Sequence, residues 1–224
     1  MPRAERTADR NLDRARVYRT LARLFRPPDA DGIQTLQAEE LGELRECLDR
    51  LGAEPDLAAS VDELRARIEG RTAAELERGY DLAFDASAGL RCPANETSTV
   101  AETASEQMTK TYTLADIAGF YRAFGVEVGP GGGQPDHIAA ELEFMQLLAL
   151  KEAVAASQAE NSEESEHAEI CRSAARSFLK DHLGRWTARF AERLAEADAD
   201  PAYAQAGVLL DRFVAFDALQ LGDR

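Results

Sequence analysis

The sequence predicts an all-α protein, a single helical-bundle-like domain of about nine helices. Three observations lead there. Apolar residues recur every three to four positions through most of the 224-residue chain. The breaks between those runs carry Gly and Pro, and no stretch alternates polar and apolar residues as a half-buried strand would. With 45% hydrophobic residues the chain can also fill a core of its own.

Taken in order, Val17, Tyr18, Leu21, Leu24 and Phe25 place a helix over about 9–25, ended by Pro27-Pro28. Leu41, Leu44, Leu48 and Leu51 form a second stripe stopped by Gly52. Leu57, Val61, Leu64 and Ile68 form a third, stopped by Gly70. Thr72 and Glu75 have the spacing of a capping box ahead of Leu76, Tyr80 and Phe84. Between Ser87 and Lys110 the periodicity fails, and 89–98 reads as an ordered loop of a length that in compact domains tends to carry function.

Thr113 is positioned to cap the next helix, with Leu114, Ile117, Ala118 and Tyr121 on one face beside Phe120 and Phe124. The run Gly129-Pro130-Gly131-Gly132-Gly133 is expected to break it. That run suggests a hinge over 129–136 between an N-terminal part (1–128) and a C-terminal part (137–224). Pro135 suits the first turn of a new helix, where its missing N–H costs nothing, and Ile138, Leu142, Met145 and Ala149 line one face of that helix. From Ser157 to Glu169 five glutamates occur without a Lys or Arg, as in a solvated linker or a frayed helix end. Leu179, Leu183, Trp186, Phe190 and Leu194 then predict one long helix, and Tyr203, Ala206, Leu210 and Phe213 a last one after Pro201.

Composition narrows the function. With 41 acidic and 26 basic residues the formal charge is −15, which repels nucleic acid and attracts a basic ligand or peptide, or simply keeps the protein in solution. Cys47, Cys92 and Cys171 are odd in number and far apart, which fits a reducing compartment and no zinc or dithiol motif. No apolar run has the length of a signal peptide or a membrane span, so a cytoplasmic protein with no membrane insertion is expected. The glycine run has neither the Lys nor the preceding strand of a phosphate-binding loop, and no Ser-His-Asp grouping can be picked out.

The sharpest local feature is Pro135-Asp136-His137-Ile138 through Met145. Asp136 falls where a carboxylate is favoured by the helix N-terminus, and His137 and Glu141 are i, i+4 neighbours able to touch. Two readings stay open. Asp136 caps the helix while His137 pairs with Glu141, or the three groups grip a polar ligand or peptide. A metal site at His137 and Glu141 would need further ligands that no nearby Cys or His supplies. His182, one turn from Phe178 and from Trp186, reads as a packed core residue, and His167 as exposed.

Gln134-Pro135-Asp136-His137-Ile138 with Glu141-Leu142-Glu143-Phe144-Met145 resembles the hallmark of the TorD/DmsD/NarJ family of redox-enzyme maturation chaperones. The resemblance extends to Tyr18-Arg19-Thr20-Leu21-Ala22-Arg23-Leu24-Phe25, to Cys92-Pro93-Ala94-Asn95-Glu96-Thr97, and to Leu114 through Gly125. The last two segments are most similar to chaperones of the type II dimethyl sulfoxide reductase group, whose clients include ethylbenzene, dimethyl sulfide, selenate and chlorate oxidoreductases. One departure lies in the loop, where many relatives have Pro-Tyr-Glu-Ser. Glu96 survives here and the aromatic does not.

The resemblance implies a cytoplasmic chaperone and not an enzyme. Its partner would be the apo catalytic subunit of a molybdenum oxidoreductase, together with its twin-arginine signal peptide, during cofactor insertion. It implies no resident cofactor or metal, and it allows homodimers by domain swapping. The client-binding residues it implies are Tyr18, Glu96, Pro135, Asp136, His137 and Glu141. Two alternatives remain at this point: an assembly factor of the NarJ kind for a leaderless subunit, and a small helical metal-dependent hydrolase using His137 and Glu141.

Overall fold

The helix that follows the Asp-His pair is apolar nearly all round, and a helix of that kind has to sit at the centre of its fold. In a computed structural model of the chain it does. The structure describes residues 3–84, 92–100, 104–127, 133–158, 162–197 and 200–222.

In chain order the helices are α1 (Arg3–Leu24), α2 (Ala30–Thr35), a π turn (Leu36–Glu40), α3 (Leu41–Leu51), α4 (Pro55–Ile68), α5 (Ala73–Phe84) and α6 (Glu96–Val100). They continue with α7 (Ala104–Ala123), α8 (Ile138–Ser157), α9 (Ser162–Asp181), a 3-10 turn (Leu183–Arg185), α10 (Thr187–Glu196) and α11 (Pro201–Gly222). Among the described residues there is no strand, and joining helices that run on without a break gives nine, so the all-α prediction holds. None of these helices is long and apolar enough to cross a membrane.

α8 is packed against α1 on one side and α9 on another, and α11 packs against α4, α9 and α10. Ile138, Leu142, Met145, Leu148 and Ala149 of α8 are fully buried, and one apolar core runs from Val17 in α1 to Leu221 in α11. Both of the stretches that flank the glycine run contribute to it. Two aromatic groups anchor this core. Phe25, Phe84, Phe190 and Tyr203 meet edge-on or stacked between α1, α5, α10 and α11, and Phe120, Tyr121, Phe144 and Phe178 do so between α7, α8 and α9. Such pairs add about 0.5–1.5 kcal/mol each beyond the area they bury.

Several boundaries differ from the sequence reading. The capping box is present, with Glu75 Oε2 accepting from Thr72 N at 2.8 Å and Thr72 Oγ1 accepting from Glu75 N at 3.3 Å. Gly52 and Gly70 sit at φ 76° and 74°, the left-handed conformation that ends a helix without a Cβ penalty. The expected loop 89–98 instead contains the start of α6, and its residues 89–91 lie outside the described residues. Thr113 is not a cap, because α7 starts nine residues earlier and runs through it. α7 ends at Gly125, φ 76°, and not at the glycine run, of which 129–132 lie outside the described residues.

Pro135 precedes α8 and is not in its first turn. The glutamates at 163–169 belong to α9, where Glu166 and Glu169 are exposed, and Glu160 lies outside the described residues. The single long helix expected over 179–194 is broken at His182 (φ −128°, ψ −96°). Just beyond it, a Cβ on Gly184 would lie 2.5 Å from the Leu179 carbonyl oxygen, so only glycine lets the chain turn back that tightly.

Candidate functional site

The segment that enters α8 pairs with the segment that enters α6. Asn95 and His137 form an isolated antiparallel bridge, in which Ile138 N donates to Ala94 O at 2.8 Å and Glu96 N donates to Asp136 O at 2.9 Å. The 92–97 stretch and the 134–145 stretch are therefore stitched together. Tyr121 of α7 adds a third tie by donating its hydroxyl to Pro135 O at 2.8 Å.

Asp136 is completely buried. Its carboxylate accepts from Thr97 N at 3.1 Å, from Thr97 Oγ1 at 2.6 Å and from Asn95 Nδ2 at 3.1 Å. It caps a helix, but the helix is α6 rather than its own: it satisfies an amide of α6's first turn, where a carboxylate is favoured both as acceptor and as charge. The N-cap of α8 is His137, whose Nδ1 accepts from Ala139 N at 3.2 Å. A neutral ring accepting there carries its proton on Nε2. Burial lowers the His137 pKa against the opposing pull of Asp136, and nearby Arg26 lowers it further.

Glu141 turns inward and does not pair with the His137 ring. The two are joined only through the backbone, Glu141 N donating to His137 O at 3.0 Å. The Glu141 carboxylate is fully buried, with Oε2 accepting from Trp186 Nε1 at 3.1 Å and Oε1 without a hydrogen-bond partner among the described residues. Burial pushes its pKa well above the usual carboxylate range, with Glu96 and Asp136 pushing the same way and the Trp186 N–H opposing them. The site thus favours the neutral acid. His137 and Glu141 diverge, and among the described residues no group of three or more His, Cys, Asp or Glu could hold a metal ion.

Glu96, 2% exposed, is the next member, and its Oε2 lies 3.2 Å from His182 Nδ1. The other ring nitrogen, Nε2, lies 3.2 Å from Asp116 Oδ2. The His182 ring is wedged against Phe120 and Phe178, with centroids 5.7 and 5.0 Å away, so a buried histidine connects a solvent-facing carboxylate to a buried one. The sequence reading found the burial of His182 and missed its two carboxylate partners. The only local signal was Gly184, which marks the break that aims the ring.

Tyr18 is not part of this group. It is completely buried elsewhere, donating its hydroxyl to Asp217 Oδ2 at 2.7 Å. There Arg14 holds Asp217 through two bonds of 2.7 and 2.9 Å and reaches Glu152 at 3.1 Å, and Arg172 holds the other oxygen of Glu152 at 2.8 Å. This buried ion network ties α1, α8, α9 and α11. Tyr18 falls on the α1 face turned to α11, away from α6. Of the six site residues read from the sequence, Glu96, Pro135, Asp136, His137 and Glu141 come together; of these, His137 and Pro135 are partly exposed and the three acids are buried.

The arrangement buries the hydroxyl that it pairs with a carboxylate, Thr97 Oγ1 on Asp136. What it does is fix the path of two loops with buried carboxylates, and leave His137, Gln134 and Asn95 at the surface of the clamp.

A family model described as nitrate reductase delta subunit matches residues 32–192. Over 112 residues the chain is 35% identical to the selenate reductase assembly chaperone protein of Thauera selenatis, and over 112 residues 34% identical to the chlorate reductase assembly chaperone protein of Ideonella dechloratans. Each match covers 50% of this chain and 54% of the relative, so the alignment spans about half the length of these two proteins. The chain is also 29% identical over 218 residues to the chaperone protein TorD of Aliivibrio fischeri, covering 92% of this chain and 94% of that one.

Proposed function

This chain belongs to the nitrate reductase delta subunit family, and from that membership we propose that it is a maturation chaperone that holds the apo catalytic subunit of a molybdenum oxidoreductase in the cytoplasm while its cofactor is inserted. The observation that carries the reading is the clamp between 94–97 and 136–138, which joins two of the stretches that resemble such chaperones. The named relatives support it, being called assembly chaperones or TorD.

Within that role the twin-arginine signal peptide of the client is bound at the surface of the clamp. His137, with Pro135, contacts it, while Asp136, Glu96 and Glu141 keep that surface in shape. The charge of −15 supports attraction of the leader's arginines. A leaderless subunit is the second reading. The stretch 129–136 serves as the hinge across which two copies would exchange their C-terminal parts.

Calorimetric titration with a synthetic twin-arginine leader tests the first reading. Expected is binding that weakens with added salt and weakens again in His137→Ala, a partly exposed position whose loss spares the core. An unchanged affinity in both His137→Ala and an Asp136→Ala, His137→Ala double variant removes the site assignment. Co-purification of the apo subunit with and without its leader separates the two readings, and failure of both to be retained removes the chaperone role.

A further inference from the structure

In a chain of charge −15, three arginines converge on one cleft. The cleft has a volume of ≈ 400 Å³, within the range of a ligand site, and lies between α1, α2, α8 and α11. Arg19, Arg23 and Arg26 form its wall, and Leu36, Ile68 and Tyr203 are part of its apolar floor. Arg19 and Arg23 stand one turn apart on one face of α1, about 6 Å along it, and Arg26 follows in the turn that ends the helix, so the three line a strip that a short extended segment can follow.

The wall is not closed on itself. Arg19 pairs with Glu43 at 3.0 Å, Arg23 with Glu40 at 3.2 Å and Arg26 with Glu143, yet the three guanidinium side chains remain 43%, 40% and 59% exposed. The pairs of Arg19 and Arg26, exposed on both sides, are weak and are readily exchanged for another carboxylate, whereas the Arg23 partner Glu40 is buried and keeps its pair. Of the acids that line the cleft, Asp29 is already engaged as the cap of α2, accepting from Gly32 N at 2.8 Å. One buried polar atom of the wall, Arg19 Nε, makes no hydrogen bond among the described residues, as expected of a donor that awaits an acceptor.

We infer that this cleft receives an extended segment of client polypeptide in which apolar side chains alternate with acidic ones, the apolar groups entering the floor and the carboxylates facing the arginine ladder. The inference rests on the chaperone reading and adds to it a second contact with the client. A twin-arginine stretch does not fit here, because its charge repeats that of the wall. The leader and the acidic segment therefore occupy different places on the same chaperone.

The test uses the full chain and three fluorescein-labelled nonapeptides in anisotropy titrations, with the cores Asp-Leu-Glu-Leu-Asp, Lys-Leu-Arg-Leu-Lys and Asp-Ser-Glu-Ser-Asp. The first is expected to bind, and the other two at least about tenfold more weakly. Arg23→Glu with Arg26→Glu is expected to weaken the first peptide by about tenfold or more, and Gln146→Trp, which plugs the cleft from α8 without touching charge, to do the same. Melting curves verify that each variant is folded, and the two variants act independently, so loss of one to misfolding leaves the other decisive. Equal binding of the basic peptide, no binding of the acidic one, or an unchanged affinity in a folded variant overturns the inference. If the apo catalytic subunit is retained equally by wild type and variants, the cleft is wrong and the chaperone role stands; if wild type does not retain it, the chaperone role itself falls.

Discussion

Removing the Asp136 carboxylate should cost more than removing any ordinary helix cap. Three donors converge on it, at 2.6, 3.1 and 3.1 Å, in a place without solvent. In Asp136→Ala, half-buried Asn95 can turn its amide to Gln134 Oε1, already 3.2 Å away, so that bond costs little. Thr97 has no such escape. Its amide and hydroxyl are buried, and each hydrogen bond to a charged acceptor contributes about 1.5–3 kcal/mol, so we expect a loss of about 3–5 kcal/mol. For a domain of this size that is a fall in Tm of about 10 °C.

Asp136→Asn keeps the shape and one acceptor but turns an NH₂ group toward a donor, and should fall between, at about 2 kcal/mol. Circular dichroism melts measure the loss, and hydrogen exchange at the Thr97 amide locates it. A variant Asp136→Ala that melts within about 2 °C of wild type, a shift of no more than about 1 kcal/mol, refutes the claim that this carboxylate holds the two loops together. So does unchanged protection of the Thr97 amide in that variant.

Three further variants probe two more of the buried acids, Glu141 and Asp217. Glu141 has a folded-state pKa raised above its unfolded value, so the folded state binds the proton more tightly, and the stability this contributes is present in acid and is lost as pH rises past the usual carboxylate range. Glu141→Gln, which keeps an acceptor for Trp186 and cannot ionise, should therefore gain in Tm relative to wild type between pH 5 and pH 8; a difference that is flat or shrinks over that interval contradicts the assignment. Asp217→Ala leaves the Arg14 guanidinium, 4% exposed, without its main partner and should cost about 3–5 kcal/mol by urea unfolding, whereas Tyr18→Phe, which drops only a 2.7 Å hydroxyl bond, should cost about 1 kcal/mol. Equal costs for the two would mean that the network is not organised around Asp217.

The fold was legible where local chemistry decides it. Thr72 and Glu75 form their box within four residues, and Gly52 and Gly70 end helices because only glycine is at ease at positive φ, so the boundaries of α3, α4 and α5 followed from short windows. Periodicity failed where tertiary contacts override it. α7 is helical from Ala104 although its first turns carry Ser, Thr, Gln and Lys, and no apolar stripe announces them. The reverse error occurred at 179–194, where the stripe from Leu179 to Leu194 is continuous by spacing, and the break lies where Gly184 permits a tight turn and His182 pairs with Glu96 and Asp116. Neither partner is closer than 66 residues in sequence, so within the window only Gly184 marked the break.

The same distance effect explains why the motif was found and its mechanics were not. From 134–145 alone, Asp136 beside a helix start is indistinguishable from a cap of that helix, and His137 and Glu141 are indistinguishable from a surface pair. What decides between these readings is the segment 39 to 41 residues upstream, which supplies the donors that draw Asp136 away from α8. Once Asp136 is drawn away, the vacant capping position falls to His137, and the same turn of helix then points Glu141 at Trp186 instead of at solvent. The three residues are thus not three independent contacts offered to a client. They are one linked choice, in which burying two acids sets the orientation of the partly exposed histidine, and a substitution at Asp136 should reach the client by moving His137 rather than by removing a charge the client could touch.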